Sequence, residues 1–364
     1  MVILAYISFS LLAMQLVNAF LNFIFRQRLR HAEIDDKKGV SVLIPARNEE
    51  DNIKLLLKDL FNIKDNITEI LVYNDQSTDN TAQAVINLAQ QDKRVRLIHP
   101  ESLPQGWIGK NYACYQLAKN AVGKQYLFLD ADVRIFGNVI NDTVLYLKER
   151  NLALLSIFPV QILKTFGEKI SVPIMNYILL TLLPLVFVHR SPFISHSAAN
   201  GQFMLFDAEK YDKIQPHKIV KNSAAEDISI AKYFKKKKEN IACITGDQRI
   251  KCRMYNSYKT ALYGFSKNIF MFFGNDPALG FVFSFFITLG IIPVVIALPE
   301  YILWYIMSTA AILVLYSLTS KQNILQGVLL FPVHLLFIFQ VMVKALSIKT
   351  NKKYVWKGRD IYLY

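Results

Sequence analysis

The stretch Tyr126-Leu-Phe-Leu129-Asp130-Ala-Asp132 decides the fold. Its aromatic and aliphatic half reads as a buried strand, and the run stops abruptly at two acids separated by one small residue. A strand that ends this way delivers both carboxylates to the rim of a sheet, where they can share a hard divalent cation and, through it, a diphosphate. A lone Asp-x-Asp is more often a pair of solvated turn acids, so the reading depends on its surroundings.

Outward from it, Val40-Ser-Val-Leu-Ile44, Glu69-Ile-Leu-Val-Tyr73, Val95-Arg-Leu-Ile98 and Leu152-Ala-Leu-Leu155 are further short apolar runs, separated by amphipathic helical runs. The alternation predicts an α/β fold with a mainly parallel, Rossmann-like sheet covered by helices on both faces. Ligands of such sheets bind at the carboxyl ends of the strands. Polar motifs occupy those ends: Pro45-Ala-Arg-Asn-Glu49 after the first strand, Asn74-Asp75-Gln-Ser77-Thr78-Asp79 after the second and Asp130-Ala-Asp132 after the fourth. Ser77 or Thr78 is expected to cap the helix that continues to about Gln91.

The chain is too apolar for an ordinary soluble enzyme, with 53% hydrophobic residues. From Val2 to Phe25 it is almost wholly apolar, and a helix of that length reaches about 36 Å, enough to cross a bilayer. Arg26, Arg28 and Arg30 follow at once, which places that end, and the domain after it, on the cytoplasmic side. A second apolar block from about Leu279 to Val343 is broken at Pro299-Glu300 and at Ser320-Lys-Gln-Asn323 into three segments. A simple third crossing would put Lys349, Lys352, Lys353, Lys357 and Arg359 outside, so an interfacial or re-entrant segment bent at Pro332 is the alternative. The shorter apolar stretch from Val172 to Val188, interrupted by Pro173 and Pro184, is expected to lie in the interface. The expected organisation is therefore an anchor over residues 1–25, a catalytic domain over 40–250 with an interfacial insertion at 170–194, an interfacial helix over 253–275, membrane segments over 279–346 and a basic tail over 347–364.

A net charge of +14 suits an anionic membrane surface and, taken alone, nucleic acid equally. Lys235-Lys-Lys-Lys238 reads as a solvated helix face or a contact with lipid headgroups. Cys114, Cys243 and Cys252 lack metal-ligand spacing and read as small buried hydrophobes in a reducing compartment.

Taken in order, Ser41-Val-Leu-Ile-Pro45-Ala-Arg47-Asn48-Glu49, Asn74-Asp75-Gln-Ser77-Thr-Asp79, Gly109-Lys110-Asn111, Asp130-Ala-Asp132 and Ala225-Glu226-Asp227 resemble the family 2 inverting glycosyltransferases of the GT-A fold. The resemblance covers about residues 40 to 270 and implies a site. Pro45, Glu49 and Asp75 would bind the nucleoside, Lys110 the diphosphate, and Asp130 and Asp132 the nucleotide and a divalent metal, Mg²⁺ or Mn²⁺, with Asp132 the more direct ligand. Asp227 would be the catalytic base, which a hydroxyl acceptor needs and an ionised carboxylic acid does not. Asn200-Gly201-Gln202, ahead of the strand-like Phe203-Met-Leu-Phe206, would line the acceptor or sugar pocket.

The flanks Leu103-Pro-Gln-Gly-Trp107-Ile-Gly-Lys110, Arg253-Met-Tyr255, Gly264-Phe-Ser-Lys267-Asn268 and Val355-Trp356-Lys-Gly-Arg359 look like those of membrane glycosyltransferases of carotenoid and hopanoid pathways. That narrower likeness implies UDP-glucose as donor, an apolar isoprenoid lipid as acceptor and the membrane as partner, with no role for nucleic acid. The Gln/Arg-x-x-Arg-Trp motif of processive members is missing between Arg253 and Asn268, which favours transfer of a single sugar over polysaccharide synthesis. A non-catalytic membrane or nucleic-acid binding module is the remaining alternative.

Overall fold

The computed structural model describes residues 1–32 and 39–351 and the backbone of Tyr354–Trp356 and Arg359–Ile361; Lys352, Lys353, Lys357 and the side chains of Trp356 and Arg359 lie outside the described residues. The strands are β1 (Val40–Ala46), β2 (Ile67–Asn74), β3 (Val95–Ile98), β4 (Gln125–Leu129), β5 (Val133–Ile135), β6 (Leu154–Phe158), β7 (Val160–Gln161), β8 (Phe203–Asp207), β9 (Ile241–Thr245) and β10 (Ile250–Cys252). Seven of them form one sheet in the order β3-β2-β1-β4-β8-β6-β9, and β5, β10 and β7 form a small second sheet. In the large sheet β8 runs antiparallel to both β4 and β6, while the other pairings are parallel. β6 starts two residues later than its apolar run suggests. Asn151 is left-handed (φ 47°) and Leu152 N–H still closes onto Leu147 O at 2.9 Å, so the helix end takes those positions.

The reversal of β8 positions the site. Its entry, Asn200 to Gln202, reaches the same rim as the exit of β4, and Asp130 N–H donates to Gln202 O at 3.2 Å. Alternation along the strands then divides the interior in two. Val42, Ile44, Leu127 and Leu129 face helices Glu50–Phe61 and Ile140–Glu149. Leu43, Tyr73, Phe128 and Phe206 face the other way, and their cluster continues without interruption into Ala5, Leu12, Tyr177 and Phe337 of the apolar helices.

Three helices are long and apolar enough to cross a membrane, Val2–Ile24, Pro299–Ser320 and Phe331–Asn351; Pro277–Leu289 and Ile291–Ala297 form a further pair bent by 54°. Phe9 packs edge-on against Tyr305, and Arg26 Nη1 donates to Leu318 O at 3.2 Å, so the first two run side by side in the same direction. The buried residues of Val2–Ile24 are Ala5, Ser8, Leu12, Gln15, Ala19 and Asn22, a three-four spacing that makes one seam. Helix Pro173–Leu182 docks on it through polar contacts: Gln15 Nε2 donates to the Tyr177 hydroxyl at 3.1 Å, and Asn22 Nδ2 donates to Leu180 O at 2.8 Å and Leu183 O at 2.9 Å. Hydrogen bonds of this kind are what hold helices together where no hydrophobic drive exists.

The last helix is bonded along its length to segments that precede the apolar block. His334 Nε2 meets Lys169 O at 2.9 Å, Tyr258 hydroxyl donates to Gln340 Oε1 at 2.8 Å, and Lys349 Nζ donates to Asn275 O at 2.9 Å. The stretch from Tyr255 to Phe273 is two pieces, helix Tyr258–Ser266 and a 3₁₀ turn Ile269–Phe273, with Phe265, Phe270 and Phe273 buried. Lys235 departs from the solvated-face reading. It is buried, its Nζ donates to Ser191 O at 2.6 Å and Phe187 O at 3.2 Å, and burial pushes its pKa down to about 8. Cys114, Cys243 and Cys252 are free and buried.

Candidate active site

The loops after β1 and β2 interlock, and this explains their polar sequences. Asn48 and Gln76 are left-handed (φ 52° and 53°), a conformation that Asn tolerates better than most residues and that turns each chain sharply at the sheet rim. Asn48 N–H donates to Ser77 Oγ at 3.0 Å, Thr78 N–H returns a bond to Asn48 Oδ1 at 2.8 Å, and Arg47 Nη1 reaches Asp75 O at 2.7 Å. Ser77 and Thr78 therefore do not cap the following helix, which begins at Thr81 behind Asn80; Asp79 Oδ1 takes the Thr81 N–H at 3.0 Å. The brace sets Pro45, Glu49 and Asp75 along one wall of a cavity of about 1580 Å³. Glu49 is the residue before helix Glu50–Phe61 and holds Asn52 Nδ2 at 2.6 Å.

Lys110, Asp130, Asp132, Gly201, Glu226 and Asp227 line the same cavity. Lys110 stands in the first turn of helix Gly109–Lys119 and bridges Asp130 Oδ1 and Glu226 Oε1, each at 2.8 Å. Burial opposes its charge, but the two carboxylates outweigh burial and hold the ammonium charged. Burial would likewise push Glu226 up, yet Lys110 and then Lys267 outweigh it and keep this carboxyl below the usual range. Asp130 is pushed up by burial, which Lys110 offsets only in part.

Asp227 opens helix Glu226–Lys236. Its Oδ2 accepts from Gly201 N–H at 3.0 Å and its Oδ1 from Ile228 N–H at 2.8 Å. Burial, reinforced by the Glu226 charge, raises it to about 6, a value suited to a base working near neutral pH. Gly201 cannot carry a side chain without intruding: a Cβ there would lie 3.2 Å from both Glu226 Oε1 and Lys110 Nζ. The six residues thus form a compact acidic and basic floor at the ends of β4 and β8.

Three features escape a reading of the sequence. The Asn48–Ser77–Thr78 brace joins two motifs that are far apart in the chain, and only the adjacency of β1 and β2 brings them together. Arg253, which lines the cavity, is held by Glu168 at 2.6 Å, and the Glu168 side chain is fully buried. The pattern Thr165-x-x-Glu168 signals a capping box, which forms, but not the second task of the glutamate. Lys344 also lines the cavity, and nothing local in its sequence marks it, unlike Lys267 in the Gly264-Phe-Ser-Lys267-Asn268 stretch.

Among the described residues no group of three or more His, Cys, Asp or Glu side chains makes a cation cage of protein ligands alone. The donors present do fit Mg²⁺ or Mn²⁺, which use one or two carboxylates and take the remaining oxygens from substrate phosphates and water. Asp130 and Asp132 place hard oxygen donors on the cavity wall, with Asp130 also gripped by Lys110.

Comparison with known proteins bears on this arrangement. Residues 41–213 match the sequence profile described as Glycosyl transferase family 2. The 4,4'-diaponeurosporenoate glycosyltransferases of Staphylococcus haemolyticus (strain JCSC1435) and Staphylococcus aureus (strain USA300) are each 27% identical, over 65% and 64% of this chain. The matched parts span 62% and 61% of those relatives' own length. A solved mannosyltransferase from Pyrobaculum calidifontis, in complex with GDP-Man and Mn2+, superposes with a TM-score of 0.60 at 16% identity, covering 95% of this chain and 99% of that one. The mainly parallel sheet with polar motifs at its strand ends agrees with these matches: residues 41–213 carry a glycosyl transferase family 2 domain on a GT-A-type α/β fold.

Proposed function

We propose that the chain is a membrane-bound inverting glycosyltransferase that moves one sugar, glucose, from UDP-glucose to an apolar isoprenoid-type lipid such as a carotenoid. The observation that carries the reading is the meeting of Lys110, Asp130, Gly201, Glu226 and Asp227 in one cavity that is also lined by Leu262 and Tyr263 of helix Tyr258–Ser266 and by Lys344 of the apolar helix Phe331–Asn351. The staphylococcal relatives, named for a carotenoid acid, support the class of acceptor.

In this reading Pro45, Glu49 and Asp75 bind the nucleoside, held in place by the Asn48–Ser77 brace. Lys110 neutralises the diphosphate, and Asp227 takes the proton of an attacking hydroxyl. The acceptor oxygen forms its bond to the sugar C1 as the bond from C1 to the phosphate oxygen breaks, so UDP leaves with the electron pair and the anomeric centre inverts. A divalent cation held by Asp132 with Asp130 would act as a Lewis acid on the diphosphate. Arg26, Arg28 and Arg30 at the end of Val2–Ile24, and Lys321 at the same end of the helix beside it, support a cytoplasmic catalytic domain. The bonds of Phe331–Asn351 to Lys169, Tyr258 and Asn275, all outside the apolar spans, support an interfacial course for that helix.

The test is UDP release from UDP-glucose in purified membranes, with product mass. One added hexose is expected; a ladder of glycans would replace single transfer by polymerisation. UDP with Mn²⁺ should raise the thermal midpoint, and a protein indifferent to both would overturn the enzyme reading.

A further inference from the structure

Residues 220–225 carry the acidic pair into the cavity, yet they belong to no helix or strand. They join helix Pro216–Ile219 to helix Glu226–Lys236, and Asn222 and Ala224 among them line the cavity that contains Asp227. A loop keeps one shape only where its backbone groups find fixed partners. Here the partners stand at the start of helix Gly109–Lys119. Ile108 N–H, at the N-terminal cap, donates to Lys221 O at 2.8 Å, and Asn111 Nδ2 donates to Val220 O at 2.8 Å, Ser223 O at 3.0 Å and Lys221 O at 3.2 Å. Three carbonyl oxygens converging on the amide fix its orientation, because of its two ends only the NH2 can donate. Asn111 is wholly buried, so these bonds are made out of reach of solvent.

The loop is tied onward to the helix that Asp227 opens. Ser223 Oγ and Ser229 Oγ lie 2.8 Å apart, and Ser229 N–H donates to Ala225 O at 3.2 Å. From the other side Asp227 is held by Gly201 N–H at 3.0 Å. Lys110, next to Asn111 in the chain, grips Glu226 by charge, and that grip is conditional. A diphosphate entering the cavity competes with Glu226 for the same ammonium. The Asn111 bonds go to backbone oxygens and do not depend on what the cavity holds.

We propose that Asn111 is a positioning residue, whose amide latches residues 220–225 to the helix that carries Lys110 and so keeps Asp227 in place while Lys110 turns to the donor. This rests on the transferase reading for the role of Asp227; the latch itself rests on the amide geometry.

The experiment compares the full-length wild type with Asn111→Ala in detergent by two measurements. In hydrogen–deuterium exchange, the amides of residues 220–229 should exchange about tenfold faster in the variant, while those of β1 and β4 keep their protection. In steady-state turnover, the variant should lose about tenfold to a hundredfold in kcat, as follows when a reacting group is displaced, with the KM for UDP-glucose and the Kd for UDP with Mn²⁺ within about threefold of the wild type. Asn111→Ser keeps one donor and should fall between the two proteins in both measurements. If the alanine variant gives no cooperative thermal melt, the serine variant is read alone against the same pattern. Unchanged exchange in residues 220–229, exchange raised equally throughout the chain, or a loss of UDP affinity as large as the loss of kcat overturns the proposal. A wild type without turnover counts against the transferase reading alone, and the exchange measurement then decides whether the latch exists.

Discussion

In the proposed reaction Asp227 is the base, and its environment makes two measurable demands. As a base it must be ionised, so kcat/KM with an alcohol acceptor should fall on the acid side with an apparent pKa near 6. Asp227→Asn should cut turnover on that acceptor by about a hundredfold to ten-thousandfold while UDP still raises the thermal midpoint. The same carboxyl weakens the fold. Its folded pKa is raised above the unfolded value, so the native state holds the proton more tightly, and stability falls as pH climbs from about 4 through about 6. Asp227→Asn should therefore stabilise the protein by about 1–2 kcal/mol at pH 7.5, allowing for partial exposure of the site, and leave it unchanged near pH 3.5. Thermal melts at the two pH values decide this. At this scale the short patterns Asp-x-Asp and Glu-Asp pick out acids that the fold brings into one cavity. They do not show that Gly201 N–H orients the base, since that bond depends on the reversed direction of β8.

Strands and helices fix how those side chains meet. Gly264 lies where Tyr255 crosses helix Tyr258–Ser266, and a Cβ there would sit 2.1 Å from the tyrosine hydroxyl oxygen. Gly264→Ala should displace Tyr255 from the cavity wall at a cost of about 1–3 kcal/mol, seen as a lower thermal midpoint together with weaker acceptor use. On the first helix, Asn22 makes two donor bonds to helix Pro173–Leu182 and its Oδ1 accepts Leu185 N–H at 2.7 Å. Asn22→Leu keeps the apolar character of the span and removes all three, so it should destabilise the detergent-solubilised protein by about 1–2 kcal/mol with UDP binding retained. Periodicity reveals the strands and the long apolar helices because buried strands and spans repeat one kind of residue. It misses β5, β7 and β10, each two or three residues long, the five-residue β9, and the seam of Gln15 and Asn22, whose polarity gains a meaning only when a partner helix is beside it.

The whole molecule has one property that neither scale below it predicts. The inner face of the catalytic sheet and the apolar helices share a single core, in which Leu43, Phe128 and Phe206 belong to the same cluster as Ala5, Leu12 and Ile338. A chain lacking residues 1–32 would expose that cluster and should aggregate; recovery of a monodisperse form that binds UDP, by size-exclusion chromatography, would contradict it. The sequence suggests an anchor, interfacial segments and a membrane block beside the α/β domain, but composition cannot tell elements that only adjoin from elements welded into one core. A weld turns the active site into a depth gauge. In the proposed membrane-bound enzyme the height of Asp227 over the hydrocarbon is then set by how far the helices sink, so bilayers of graded acyl length should give a maximum in turnover at one thickness and a decline on either side.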